Sequence, residues 1–231
     1  MRRRRTHVAF QFCSIVAIFM LAALTILPGR AAQKTEENGF LLEITDPSDG
    51  TVVNPGQTID VAVSSPSGAA FMKVIVIGED PIGGSDDIQE AVPADFSLKI
   101  PKDISCGRYM LTAMGVTTSR QSVSSPVVMI DVERPDVPVS LSGQMPRAQF
   151  YMVEGNQTEI ILFAHFADGS VLEVTRSSYV NHSSSDAGVA TVDENGMIHA
   201  VSAGKATVTA SYTLNGQSIS TPLQVYVQRK S

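Results

Sequence analysis

The sequence predicts an all-β protein: two tandem β-sandwiches of about 95 residues each behind an N-terminal export segment. Three observations carry this. After residue 32, apolar and β-branched runs of four to eight residues alternate with clusters of Gly, Pro, Asn, Asp and Ser, as in Thr58–Val63, Phe71–Ile77, Tyr109–Ala113 and Val127–Val132. The same rhythm continues through Glu159–Phe166, Val171–Val174, Ala206–Tyr212 and Leu223–Val227, and no stretch sustains a 3.6-residue period. Between these two sets, Arg134-Pro-Asp-Val-Pro138 puts two prolines close together, a stiff and extended connector.

The first 31 residues are set apart from the fold. Arg2–Arg5 form a cationic head, Val8–Leu27 is an uncharged apolar run of 20 residues, and Gly29 and Ala31 supply small side chains. These are the three parts of a secretory signal peptide, with cleavage favoured after Ala31. An uncleaved anchor is the alternative, since 20 apolar residues just span a bilayer and the arginines would stay in the cytoplasm. Both readings place the remainder outside the cytoplasm, in the periplasm, on the cell surface or beyond it.

Loss of residues 1–31 removes five of the 17 basic residues and none of the 23 acids. That leaves 12 against 23, a net charge of −11. Such a surface argues against nucleic acid as a partner, because phosphates demand clustered Lys and Arg. Of the two cysteines only Cys106 lies after the cut, so no internal disulfide can form and cohesion must come from apolar cores. A lone Cys in this setting reads as a small buried apolar residue.

The expected domain limits are 38–133 and 139–229, with 134–138 as linker. The first domain opens with Phe40–Ile44, a turn at Asp46-Pro-Ser-Asp-Gly50, and a second turn at Pro55-Gly56. Its most specific segment is Cys106-Gly-Arg-Tyr-Met-Leu111, which resembles the tyrosine corner of immunoglobulin-like sandwiches. The resemblance implies that the Tyr109 hydroxyl bonds back to the backbone. Leu111 stands where antibody domains have their second Cys, which implies a disulfide-free variety.

The second domain is more distinctive. Phe166-Ala-Asp-Gly-Ser170 carries a hairpin signal, with Leu162, Ala164 and Phe166 on one face of the preceding strand. Ser183-Ser-Ser-Asp-Ala-Gly-Val-Ala-Thr-Val-Asp-Glu-Asn-Gly196 follows, then Val201-Ser-Ala-Gly-Lys-Ala-Thr-Val-Thr-Ala210. Over residues 145–228 this resembles the group 2 bacterial immunoglobulin-like family (BIG2). The family often has a Trp just before its serine-rich stretch; this chain has His182 there and no Trp anywhere. On the residues alone, Asn195-Gly196 reads as a primed two-residue turn with both residues at positive φ, and Gly204 as a reversal into the last long strand.

Little of this composition suggests catalysis. His182, Ser183, Ser184, Ser185 and Asp186 include the residue types of a nucleophilic triad, but neighbours along one extended loop cannot converge. His165, His182 and His199 lie 17 residues apart without a short ligand pair, so no metal site is expected. Asn156-Gln-Thr158 and Asn181-His-Ser183 match the glycosylation sequon by coincidence. The acidic loop Gly78–Pro93 is the longest segment without strand character, and Asp80, Asp86 and Asp87 within it are the expected ligand-facing residues. Carboxylates around glycines suit Ca²⁺, but the Asp-x-Asp-x-Asp-Gly spacing is missing, so a solvated acidic loop is the main expectation and Ca²⁺ the lesser one. No cofactor is expected.

The family resemblance implies a non-catalytic module for adhesion, protein or carbohydrate contact at the cell surface, or a spacer. A docking subunit of an envelope assembly is the second reading, and a small hydrolase is a remote third. The membrane enters only through an uncleaved N-terminal segment.

Overall fold

The computed structural model describes residues 41–144 and 151–230. The expected export segment, and with it the expected cleavage site, lies outside the described residues. Those residues form strands and turns without a helix, so no helix is long and apolar enough to cross a membrane among them.

The first sandwich uses eight strands: β1 (Glu43–Asp46), β2 (Thr51–Val53), β3 (Thr58–Ser64), β4 (Phe71–Gly78), β5 (Ala94–Lys99), β6 (Gly107–Thr117), β7 (Ser122–Ser124) and β8 (Val128–Val132). One layer is β1-β3-β5. The other is β2-β8-β6-β4, with β7 also on β6. Alternation decides which side chains face inward. Ile59, Val61 and Val63 of β3, Phe96 and Leu98 of β5, and Leu111 and Ala113 of β6 are all buried in one cluster. β2 joins β8 in parallel, Thr51 opposite Ile130 and Val53 opposite Val132, while the rest of this layer is antiparallel. Pro126 has no N–H to offer a ladder, and it falls in the break between β7 and β8.

The second sandwich holds β9 (Ser140–Gln144), β10 (Tyr151–Val153), β11 (Gln157–Glu159), β12 (Ile161–His165), β13 (Val171–Glu173), β14 (Val180–Ser184), β15 (Ala190–Val192), β16 (Met197–Ala200), β17 (Gly204–Leu214) and β18 (Gln217–Gln228). One layer is β10-β18-β17-β14, and β10 again meets β18 in parallel. The opposing layer has two parts, β13-β12-β9 and β11-β16-β15. They meet at Ile160, whose N–H donates to the Gly196 carbonyl at 2.9 Å between β11 and β12. The expected strand Glu159–Phe166 is thus interrupted at this residue, with β11 and β12 pairing in different sheets. Leu162, Ala164 and Phe166 do share the buried face.

Among the described residues, every ladder joins strands within 43–132 or within 140–228. The cores are less separate than the sequence suggests. Cys106 is buried, as expected of a lone Cys, but it packs with Leu162, Ala164, Phe166 and Tyr212 of the second sandwich.

Two turn expectations need correction. Gly196 has φ of 77°, but Asn195 does not adopt positive φ. The Gly196 N–H donates to the Asp193 carbonyl, and Asp193 Oδ1 accepts from the N–H groups of Asn195 and Met197. An Asp side chain, not a primed pair, therefore closes this turn. Gly204 does not take positive φ either; a Cβ there would sit 2.7 Å from Val189 Cγ2, so its value is close approach. The true primed turn is Asn215-Gly216, at φ 52° and 78°, which joins the long antiparallel pair β17 and β18.

Candidate functional site

The loop after β4 is not a free solvated loop. Ser85 N–H donates to the Val76 carbonyl, Val74 and Gln89 exchange both backbone hydrogen bonds, and Gly78 N–H donates to the Gly83 carbonyl. Ile82 and Ser85 are buried. The segment is a strap laid along the outer edge of β4, which satisfies backbone groups that would otherwise be open to pairing. Of the three acidic residues favoured from sequence, Asp86 and Asp87 point to solvent on the strap. Asp80 parts from them and lines a cleft between the sandwiches. Among the described residues no group of three or more His, Cys, Asp or Glu converges closely enough to hold a metal.

The cleft, about 430 Å³, is walled by Glu79, Asp80 and Tyr109 from the first sandwich and by Glu159, Glu173 and Arg176 from the second. Its floor is the turn before β6. Tyr109 Oη donates to the Ser105 carbonyl at 2.8 Å, so the tyrosine corner read from the sequence is formed. Burial, with Cys106 and nearby carboxylates adding to it, pushes the Tyr109 hydroxyl up to about 12. From the same turn, Cys106 N–H donates to the Glu173 carbonyl at 2.8 Å, and Ser105 Oγ to Glu173 Oε2 at 3.3 Å. Gly107 has φ of 149°, and a Cβ there would lie 3.2 Å from Arg176 Cβ. Close approach of the two sandwiches needs a glycine at this point.

A second set of bonds begins at the end of β8. Glu133 is 1% exposed. Its carboxylate accepts from Ser177 Oγ and from the Ser178 N–H, both at 2.6 Å, while its own N–H donates to the Val53 carbonyl. Burial raises its pKa, and the bonds from Ser177 and Ser178 pull it part of the way back. Arg134 grips Asp136 with two bonds of 2.7 Å and reaches Asp168 and Ser170 of the β12–β13 turn. Its guanidinium stands 4.4 Å from the centre of the Phe166 ring. Asp168, held by Ser170 first and Arg134 second, is lowered to about 2.

This arrangement fastens two bodies together and offers poor chemistry for covalent catalysis. Burial, followed by the charge of Glu133, pushes the Cys106 thiol up to about 12, so it stays protonated and a weak nucleophile. The triad types do not meet either. His182 to Ser184 belong to strand β14 instead of a loop, with successive side chains on opposite faces. Ser185 Oγ accepts from the Thr207 N–H, and Asp186 Oδ1 from the Gly188 N–H. The three histidines sit on three different sheets. His165 shares a 2.9 Å hydrogen bond with Ser142 Oγ, His199 is exposed, and the two ring nitrogens of His182 are buried without a partner among the described residues.

Sequence reasoning missed Glu133, Arg134, Ser177 and Ser178: the first two were read as a domain end and a linker, and the serines were not singled out. No local signal marked them, because a charged pair after a strand is equally what a solvent-exposed strand end carries and the partners of Glu133 are 44 and 45 residues away.

Comparison with known proteins finds a family similarity in part of the chain. Residues 171–222 match the family model described as bacterial Ig-like domain (group 2). No curated protein matches the sequence. Among solved structures, the chain is similar to the fibronectin(III)-like modules of Clostridium thermocellum CbhA, at 24% identity over 39% of this chain and 93% of that one, with a TM-score of 0.31. It is similar to domains 4 and 5 of the S-layer protein SbsC at 12% identity, over 80% of this chain and 96% of that chain, TM-score 0.31. A third similarity is to Bacteroides uniformis beta-glucuronidase 3, at 12% identity over 82% of this chain, TM-score 0.36; the chain spans only 25% of that enzyme. Within the second of the two sandwiches, residues 171–222 are thus similar to the bacterial Ig-like domain of group 2.

Proposed function

We propose that this is a non-catalytic module working outside the cytoplasm as a rigid two-sandwich spacer that presents an interaction surface. The observation that carries this reading is the bonded junction. Buried Glu133, the Arg134 grip and the Ser105–Gly107 turn fix one sandwich on the other at several separate points. A flexible tether would need none of them. The group 2 bacterial Ig-like match in the second sandwich supports a surface or structural role, and the buried, protonated Cys106 fits the absence of covalent catalysis.

Small-angle scattering of the full chain tests it. A single rigid particle is expected, and Glu133→Ala combined with Arg134→Ala should broaden the distance distribution. A wild-type profile that requires an ensemble of independently moving sandwiches would sink the spacer reading. Turnover of an ester, amide or glycoside substrate by the purified chain would sink the non-catalytic part.

A further inference from the structure

The first sandwich treats its sheet edges unequally. The outer edge of β4 is covered by the 79–93 strap. β2 has three residues, and β1 has four with a register shift between Ile44 and Asp46, a length and irregularity that discourage pairing. β5 is different. It is the end strand of β1-β3-β5, six residues long and regular, pairing Thr58 with Lys99 through Val63 with Ala94 on its inner side. Among the described residues no other backbone bond reaches it. Pro93 and Pro101 stand just outside its two ends and frame the open stretch.

Its side chains alternate without a break. Phe96 and Leu98 are buried, while Asp95, Ser97 and Lys99 are exposed. Across β3, Asp95 faces Ala62 and Lys99 faces Thr58, so neither charge meets an opposite one there. Neither forms a salt bridge among the described residues. At about 3.3 Å per residue they are also roughly 13 Å apart along the strand, too far to pair with each other.

We propose that β5 is a self-pairing edge, and that its occupant is β5 of a second copy of this chain, antiparallel about a two-fold axis at Ser97. Three requirements single out this register. The buried residues of both strands must share one side, which limits registers to even slips. The prolines limit the overlap to the stretch between them. Within those limits, centring on Ser97 sets Asp95 opposite Lys99 of the second copy and Lys99 opposite its Asp95, with Phe96 beside Leu98. Slipping by two in either direction sets Ser97 opposite one of the charges instead. Opposite-charge cross-strand pairs and edge-strand addition both follow ordinary sheet physics. The pairing does not depend on the spacer reading.

Sedimentation of the full chain over a concentration series tests the proposal. The wild type should form a dimer. Asp95→Lys and Lys99→Asp should each weaken it about tenfold or more, because each makes both cross-strand pairs repulsive. An equimolar mixture of the two single variants should recover a heterodimer, and the double variant a homodimer. Those two arms also show that the single variants have folded. A wild type that stays monomeric at every reachable concentration overturns the proposal. So does a dimer indifferent to both reversals, or one lost on Met110→Lys, which would place the contact on the outer face of β6 and β8.

Discussion

The two sandwiches share a plan and differ in what they show to solvent. In each, a short strand pairs in parallel with the last strand: β2 with β8, and β10 with β18. In each, the next strands inward run antiparallel, β8-β6-β4 and β18-β17-β14. The outer face of the first layer has an apolar centre, with the Arg108–Asp131 ion pair at one end and Lys73 beside Val116 at the other. Arg108 apart, β6 offers Met110, Thr112, Met114 and Val116, with Met129 opposite Met110 and Ile75 opposite Met114. The matching face of the second layer is a field of hydroxyls: Thr207, Thr209, Ser211 and Thr213 on β17, facing Gln224, Pro222, Ser220 and Ser218 on β18. Inward residues therefore fix this architecture, and outward ones are free to diverge.

The largest expected effect comes from breaking what the halves have in common. Phe96→Ala empties a fully buried site in the first core and should cost about 3–5 kcal/mol in denaturant unfolding. If the sandwiches unfold independently, the transition of the second will stay in place. A joint shift would show that the bonded junction couples them.

A smaller effect should separate the halves by pH. Burial lowers the pKa of His182 below its ordinary 6.5, against a weaker opposing pull from Asp193. Unfolded His182 therefore takes up a proton at a higher pH than folded His182. Its contribution to stability is present above pH 6.5 and is lost as pH falls through the lower folded value. Unfolding monitored between pH 7.5 and about pH 5 should show this slope, and His182→Leu should flatten it. An unchanged slope in the variant would assign the pH dependence elsewhere.

The smallest effect should come from the outer faces. Met114→Thr and Thr209→Val each change one partly exposed position and should move stability by no more than about 0.5 kcal/mol. A larger loss for Met114→Thr would mean that its face is structural in a way that its hydroxyl-covered counterpart is not.

The framework was legible in the sequence because a strand buried on one side must alternate. Ile59-Asp-Val-Ala-Val63 and Leu162–Phe166 declare their inner faces directly. Tyr109 and the 183–210 block were legible because their local chemistry is specific. The junction was not, since the partners of Glu133 lie 44 and 45 residues away and no periodicity connects them. Turn residues were misassigned where another group took over the task, as Asp193 did for Asn195. Asn215-Gly216, the real primed turn, lay between two long strands of alternating Thr and Ser whose polar character hid it. The candidate residues Asp86 and Asp87 rested on loop length and a cluster of carboxylates, and the strap explains that length by an edge that needed covering.

The parallel pairing of β2 with β8 and of β10 with β18 bears on how the chain carries load. A tug applied before Thr51 and after Val132 slides β2 against β8 along their common axis, so the ladder bonds are strained together instead of opening one at a time. The same holds for Tyr151 and Gln228. Each module thus places a mechanical latch between its second strand and its last, so tension between those two strands loads a whole ladder at once.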